Sequence, residues 1–381
     1  MSIGLGVYGG FSRGAADRWA RATGIATLQY PLAAPRKIMI AGTSIDAGYN
    51  TAYPSGNQQG YKCGPVRRLR DALRARGFYA QDESFAGTMG YTTAASFQSF
   101  DPRFQNGSGW EYSGVSGATW SILQNSTTTN AFTYTPDDTT QTFTVWVRSV
   151  TGTGSVTVSC GAATKTVSIQ LATTDFVAIT LGESEGVTLG QNTYSVARVS
   201  GTIQVAFCWA RNARLPAYQL LNCSSSGARM QHIANANDLA RPLYFPEQIL
   251  TAGDEYWIAM GPNDWRDNAV PSPVENLPTY RANMEALLDR RAANDIKSRV
   301  IIPARTSILA ASIANQDLYN AAIREVAASR GVPVFDFKDR WGEHADALAA
   351  GFMNADPDYF HPIWRGAGDI SQVYAALTLA A

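Results

Sequence analysis

Four short segments hold residue types that can carry out acyl transfer if the fold brings them together: Gly42-Thr43-Ser44, Asn222-Cys223-Ser224-Ser225-Ser226-Gly227, Gly261-Pro262-Asn263-Asp264 and Asp358-Tyr359-Phe360-His361. Ser44 offers a hydroxyl nucleophile and His361 an imidazole base. Asp358, three residues upstream on the same turn, can reach back to the second ring nitrogen and orient it. Gly227 and Asn263 offer a backbone N–H and a side-chain amide, the donor types that stabilise an oxyanion. The Gly-x-Ser pattern also occurs at Gly10-Phe11-Ser12, Gly114-Val115-Ser116 and Gly182-Glu183-Ser184, where an ordinary turn suffices. Position therefore singles out Ser44 more than pattern does. The other two histidines lack a comparable companion: His232 is expected on a helix surface and His344 exposed.

The elements around these segments explain how they could meet. Lys37-Ile38-Met39-Ile40-Ala41 is a short apolar run ending at Gly42, and a helix-like stretch from Tyr61 to Arg76 follows it and stops at Gly77. After about Leu215 the same texture resumes, with strands expected at Tyr218–Leu221, Tyr256–Met260, Val300–Ile302 and Val332–Phe335. Helices are expected between them at Arg229–Leu239, Val274–Asn294 and Asp317–Arg330. Short apolar strands alternating with amphipathic helices imply a parallel sheet covered on both faces, which places the segment after each strand at one carboxyl edge. Between about Phe100 and Ala213 the helical period gives way to two-residue alternation, as in Thr142-Phe143-Thr144-Val145-Trp146-Val147 and Thr202-Ile203-Gln204-Val205-Ala206-Phe207. With Gly-rich turns and nothing helical to cross over, these runs predict an antiparallel β-sandwich inserted into an α/β domain. The expected division is an N-terminal arm at 1–35, a discontinuous α/β domain at 36–99 and 215–381, and the insert at 100–214.

Composition narrows the function classes. The 381 residues can bury more than one domain's core, and Lys+Arg 31 balances Asp+Glu 31, so no bulk field attracts nucleic acid or an anionic membrane. Charged residues are scarce at 16% while aromatics reach 11%, which suits a neutral, hydroxyl-bearing ligand such as carbohydrate. The start of the chain reads as no signal peptide and no stretch approaches the ~20 apolar residues of a membrane span, so a soluble protein without membrane insertion is expected. Cys63, Cys160, Cys208 and Cys223 are too widely spaced for a zinc site and read as thiols, although Cys160 and Cys208 could meet across strands.

The four segments together resemble the blocks of the SGNH (GDSL-type) hydrolase family. The resemblance covers about Lys37–Phe97 and Leu215–Ala381. It implies a flavodoxin-like three-layer α/β/α domain and a serine esterase that needs no metal or cofactor. Carried over, Ser44 is the nucleophile, His361 the base, Asp358 its orienting carboxylate, and Gly227, Asn263 and the Ser44 N–H are the oxyanion donors. Gly87 or Gly90 would fill the place of Gly227 if the insert were located otherwise. Thr43 departs from the family's usual Asp and removes a charge from the loop. The β-rich insert is similar to carbohydrate-binding-like inserts of sugar esterases, including phage tail-associated deacetylases of surface polysaccharide. That likeness implies an O-acetylesterase of acetylated bacterial polysaccharide, acting outside the cell or within a virion or homo-oligomeric assembly. Trp265 and Trp364, next to the site segments, could stack on sugar rings, as could Trp110, Trp120, Trp146 and Trp209 in or beside the insert. Two rivals stay open: a lipase or thioesterase of the same fold, and a non-enzymatic glycan-binding or virion structural protein.

Overall fold

Residues 32, 34–49, 60–85, 94–113, 122–170, 176–234, 249–266, 272–305, 310–355 and 360–380 are described by a computed structural model. The core is built around β1 (Arg36–Gly42). Its Ile38 and Ile40 enter one hydrophobic cluster, Met39 and Ala41 the other, and all four are fully buried. A strand buried on both faces reads as an unbroken apolar run, which is why this one was visible in the sequence. Among the described residues the parallel sheet also contains β2 (Ala80–Gln81), β12 (Tyr218–Asn222), β13 (Glu255–Ala259), β14 (Lys297–Ile302) and β15 (Val334–Asp336), in the order β15-β14-β13-β1-β12-β2. With β2 set aside as an added edge strand, the remaining five follow the flavodoxin-like order 2-1-3-4-5.

Helices cover both faces. Pro65–Ala75 and Trp364–Leu379 pack on the Ile38/Ile40 side through Val66, Leu69, Ile370 and Tyr374, while Pro273–Ala293 and Ala310–Ser329 pack on the Met39/Ala41 side through Met284, Leu287, Ile323 and Val326. The helix expected at Tyr61–Arg76 is two, Gly60–Cys63 and Pro65–Ala75. The break lies at Gly64, whose Cα would stand 2.9 Å from a Cβ at Gly48; the two backbones touch, and Pro65 restarts the helix at its first position. Only Met230–Ala234 of the helix expected at Arg229–Leu239 is described, and residues 235–248 lie outside the described residues. The expected arm lies outside them too, apart from residues 32, 34 and 35.

The β-rich region differs from two separately paired sheets. Its nine described strands, β3 (Ser84–Phe85), β4 (Phe104–Gln105), β5 (Glu111–Ser113), β6 (Ile122–Asn125), β7 (Ala131–Tyr134), β8 (Thr142–Cys160), β9 (Ala163–Ile169), β10 (Val177–Leu181) and β11 (Tyr194–Arg211), form one antiparallel hydrogen-bonded network. The cause is the length of β8 and β11, which pair from Thr142↔Arg211 to Ser159↔Ser195 with register shifts along the way. Each long strand then holds different partners along its length, β10 and β9 for β8, and β7, β6 and β3 in turn for β11. From Ile203 to Ala210 every β11 residue is buried, and one continuous cluster runs from Met39 and Ile258 of the parallel sheet to Phe143 and Val205 here.

Other expectations are corrected by packing. His232 and His344 are buried, at 6% and 3% exposure, because the helix faces that carry them turn inward. All four cysteines are free, so Cys160 and Cys208 do not pair.

Candidate active site

Gly42 ends β1, Thr43 caps the following turn, and Ser44 opens the short helix Ser44–Ala47 at the carboxyl edge of the sheet. The Thr43 hydroxyl accepts a long hydrogen bond from the Ile45 N–H, at 3.4 Å, so this uncharged side chain still serves as the N-cap. The turn after β12 braces the same loop. Ser224 Oγ accepts from the Gly42 N–H at 3.1 Å, and the Ser225 N–H donates to the Gly42 carbonyl at 3.1 Å.

Ser44 Oγ lies 2.8 Å from His361 Nε2, across 317 positions of sequence. That is the distance of a nucleophile sharing its proton with a base. The His361 carbonyl accepts from both the backbone N–H and the side-chain amide of Asn354, at 3.0 and 2.9 Å, and Pro362 bridges to Met353. The rings of Tyr49 and Phe360 stand 5.0 and 5.3 Å from the imidazole. Asp358 lies outside the described residues, as do Gly87 and Gly90.

Asn263, in the short helix Pro262–Trp265, donates its amide to the Ala228 carbonyl at 2.9 Å, which brings it beside the Gly227 turn. The next residue fastens that turn further: the Asp264 carboxylate accepts from the Met230 N–H at 3.2 Å. Gly227 itself is exposed and has a φ of 75°, a left-handed conformation that suits glycine. The helix expected from Arg229 begins at Met230, so Gly227 lies in the turn ahead of the helix and not at its N-terminus. The two segments expected to supply oxyanion donors are thus held together by Asn263 and Asp264.

Trp265 does not offer a sugar-stacking face. It is 1% exposed, and its ring fills the space over Gly261, where a Cβ would come within 1.9 Å of it. Trp110, Trp146 and Trp209 are likewise buried in the β-rich region, and Trp120 lies outside the described residues. Trp364 is 41% exposed.

Sequence reasoning missed the supports: Ser224, Asn354 and the Asp46–Tyr374 pair. Asp46, two residues after Ser44, is fully buried and accepts from the Tyr374 hydroxyl at 2.6 Å. Burial raises its carboxyl from 3.8 to about 7 against the opposing hydrogen bond. The folded chain therefore binds this proton more tightly than the unfolded one. The associated stability is complete below pH 3.8 and is lost as pH rises through about 7. Asp46→Asn should make stability fall less steeply by about 1.4 kcal/mol per pH unit across this window, as measured by urea unfolding at stepped pH. An unchanged slope would place the titration elsewhere, Asp264 being also raised to about 7 by burial.

A parallel sheet of this order with a serine–imidazole pair at its carboxyl edge defines an SGNH-type α/β hydrolase. Residues 199–367 match the sequence model of the GDSL-like Lipase/Acylhydrolase family. That segment is a GDSL-like acylhydrolase domain, and the chain is a carboxylic ester hydrolase. Among solved structures it is similar to one described as a peptidoglycan O-acetylesterase in action, at 12% identity and a TM-score of 0.62, over 91% of each chain. It also matches a family two carbohydrate esterase from Cellvibrio japonicus, at 11% identity and a TM-score of 0.31, over 77% of this chain and 96% of that one. An acetyl xylan esterase matches at 15% identity and a TM-score of 0.34, over 42% of this chain and 81% of that one. No curated protein matches the chain at a significant level. Among the described residues no helix is long and apolar enough to cross a membrane.

Proposed function

We propose that the chain is a serine O-acetylesterase acting on acetylated bacterial polysaccharide, with residues 36–99 and 215–381 as the catalytic unit and 100–214 as an inserted module. Ser44 Oγ attacks the acetyl carbonyl while His361 Nε2 takes its proton. The oxyanion forms against the Ser44 and Gly227 N–H groups and the Asn263 amide. His361 then returns the proton to the departing sugar hydroxyl, and water attacking the acyl-enzyme releases acetate by the same steps. Asp358 is assigned the role of orienting the imidazole.

One observation carries this conclusion, the 2.8 Å approach of Ser44 Oγ to His361 Nε2. The small acyl group is supported by the burial of Ser44, which is only 3% exposed. The carbohydrate substrate is supported by the exposed ring of Trp364 three residues beyond His361. The solved structure that resembles the chain over nine-tenths of its length is described as acting on peptidoglycan O-acetyl groups, and the same substrate class is assigned here.

The test is acetate release from a panel of acetylated bacterial polysaccharides, alongside p-nitrophenyl esters of increasing chain length. Acetyl is expected to be the best acyl group, with turnover falling steeply by the hexanoyl ester. Turnover that rises with chain length would instead establish a lipase or thioesterase.

A further inference from the structure

The catalytic assignments make no use of Arg68, which lies in the first turn of helix Pro65–Ala75, facing Trp364 at the start of helix Trp364–Leu379. These two helices pack against each other on one face of the parallel sheet. The first follows β1 and the Ser44 turn at its end, and the second follows His361. Right-handed crossovers in a parallel sheet start such helices at the carboxyl edge, so both open at the edge that carries the serine and the imidazole. Local contacts agree: Gly64, ahead of Arg68, abuts the backbone of Gly48, four residues beyond Ser44.

The Arg68 guanidinium carbon lies 5.7 Å from the centroid of the half-exposed Trp364 ring. Among the described residues, its buried Nε has no hydrogen-bond partner. The other guanidinium groups nearby on this helix are all committed, Arg67 to Glu83 and Asp137, Arg70 to Asp71, and Arg74 to Asp138. The acidic residues of the two helices are committed as well, Asp71 to Arg70 and Asp369 to Arg340. Gly368, one turn after Trp364, leaves room for Arg68, because a Cβ there would meet Nη1 at 2.9 Å. A partly buried guanidinium without an acceptor is costly, and its planar fork of donors matches a carboxylate. An indole face beside it suits the C–H face of a pyranose.

We infer that Arg68 and Trp364 form a subsite for a carboxylate-bearing pyranose next to the acetylated residue, so that the substrate is an acidic polysaccharide. Trp364 carries the ring and Arg68 takes the carboxylate in a bidentate pair. This subsite rests on the carbohydrate esterase assignment above and adds the sign of the substrate's charge.

The experiment compares kcat/KM for acetate release from an O-acetylated hexuronate-containing oligosaccharide and from its carboxyl-reduced, neutral counterpart. Wild type should prefer the acidic form by about tenfold or more, as a charge-assisted bidentate pair warrants, and added salt should erode that preference. Arg68→Gln should bring the ratio close to one, and Arg68→Lys should restore part of it. Because both substrates are cleaved by the same preparation, the ratio is indifferent to partial misfolding. A wild-type ratio of one, or a ratio unchanged in Arg68→Gln, overturns the subsite while leaving the esterase intact. Hydrolysis of p-nitrophenyl acetate with no acetate from either oligosaccharide overturns the carbohydrate assignment and the subsite with it.

Discussion

Ser44→Ala should lower kcat/KM for p-nitrophenyl acetate by about ten-thousandfold or more while leaving the fold in place. The size follows from what is removed. Without the hydroxyl there is no acyl-enzyme, and His361 can at best activate a water held by the remaining oxyanion donors. The fold should tolerate the change because, among the described residues, Ser44 Oγ makes a single hydrogen bond, to His361, and the loop around it is held by other atoms: the Thr43 cap, the Ser224 hydroxyl and the Ser225 N–H. Loss of one buried hydroxyl of this kind costs on the order of 1 kcal/mol of stability. The measurement pairs steady-state kinetics with a melting curve. Retained turnover in a folded Ser44→Ala protein would remove the serine mechanism, and lost turnover with a collapsed melting curve would show Ser44 to be a structural residue.

What the sequence disclosed of this site depended on how local each signal was. β1 was legible because both its faces are buried, and Ser44 inherited its place from that strand. Asn263 was legible for the same reason, since it follows the buried strand β13, whereas His361 was marked by the carboxylate three residues upstream in the sequence. The supports were not legible, since Asp46 meets Tyr374 across 328 positions and Asn354 meets His361 through its backbone carbonyl, which no side-chain pattern marks. Trp265 shows the opposite failure. Its neighbourhood to Asn263 in sequence said nothing about direction, and the left-handed Gly261 turns the ring inward. In the β-rich region, Thr151-Gly152-Thr153-Gly154 lies inside the 19-residue β8, where register shifts against β11 absorb the glycines without ending the strand.

Glu83→Ala should destabilise the protein by about 3–5 kcal/mol, the range for leaving buried cations without their shared partner. Glu83 stands where the chain steps from β2 of the parallel sheet to β3 of the antiparallel one, and its side chain is fully buried. Arg67 donates to its carboxylate at 3.2 Å from the helix Pro65–Ala75, Arg103 at 2.9 Å from the β-rich side, and the Asp137 N–H at 3.1 Å. Burial pushes the carboxyl above its ordinary value, while the two guanidinium groups oppose that shift and favour the charged form. Alanine would remove the anion that both arginines share, leaving Arg103 on Asp101 and Arg67 on Asp137 and the Asp82 carbonyl. Glu83→Gln keeps an acceptor and the side-chain volume, so it should lose less. The effect should reach the active site, because the adjoining Ser84 hydroxyl accepts from the Asn222 N–H at 3.1 Å, at the start of the turn whose Ser224 braces Gly42. Urea unfolding followed both by fluorescence and by esterase activity would check this. Coincident transitions shifted to lower urea fit a junction shared by both sheets. A stability change below about 1 kcal/mol would show that the paired arginines are satisfied without it.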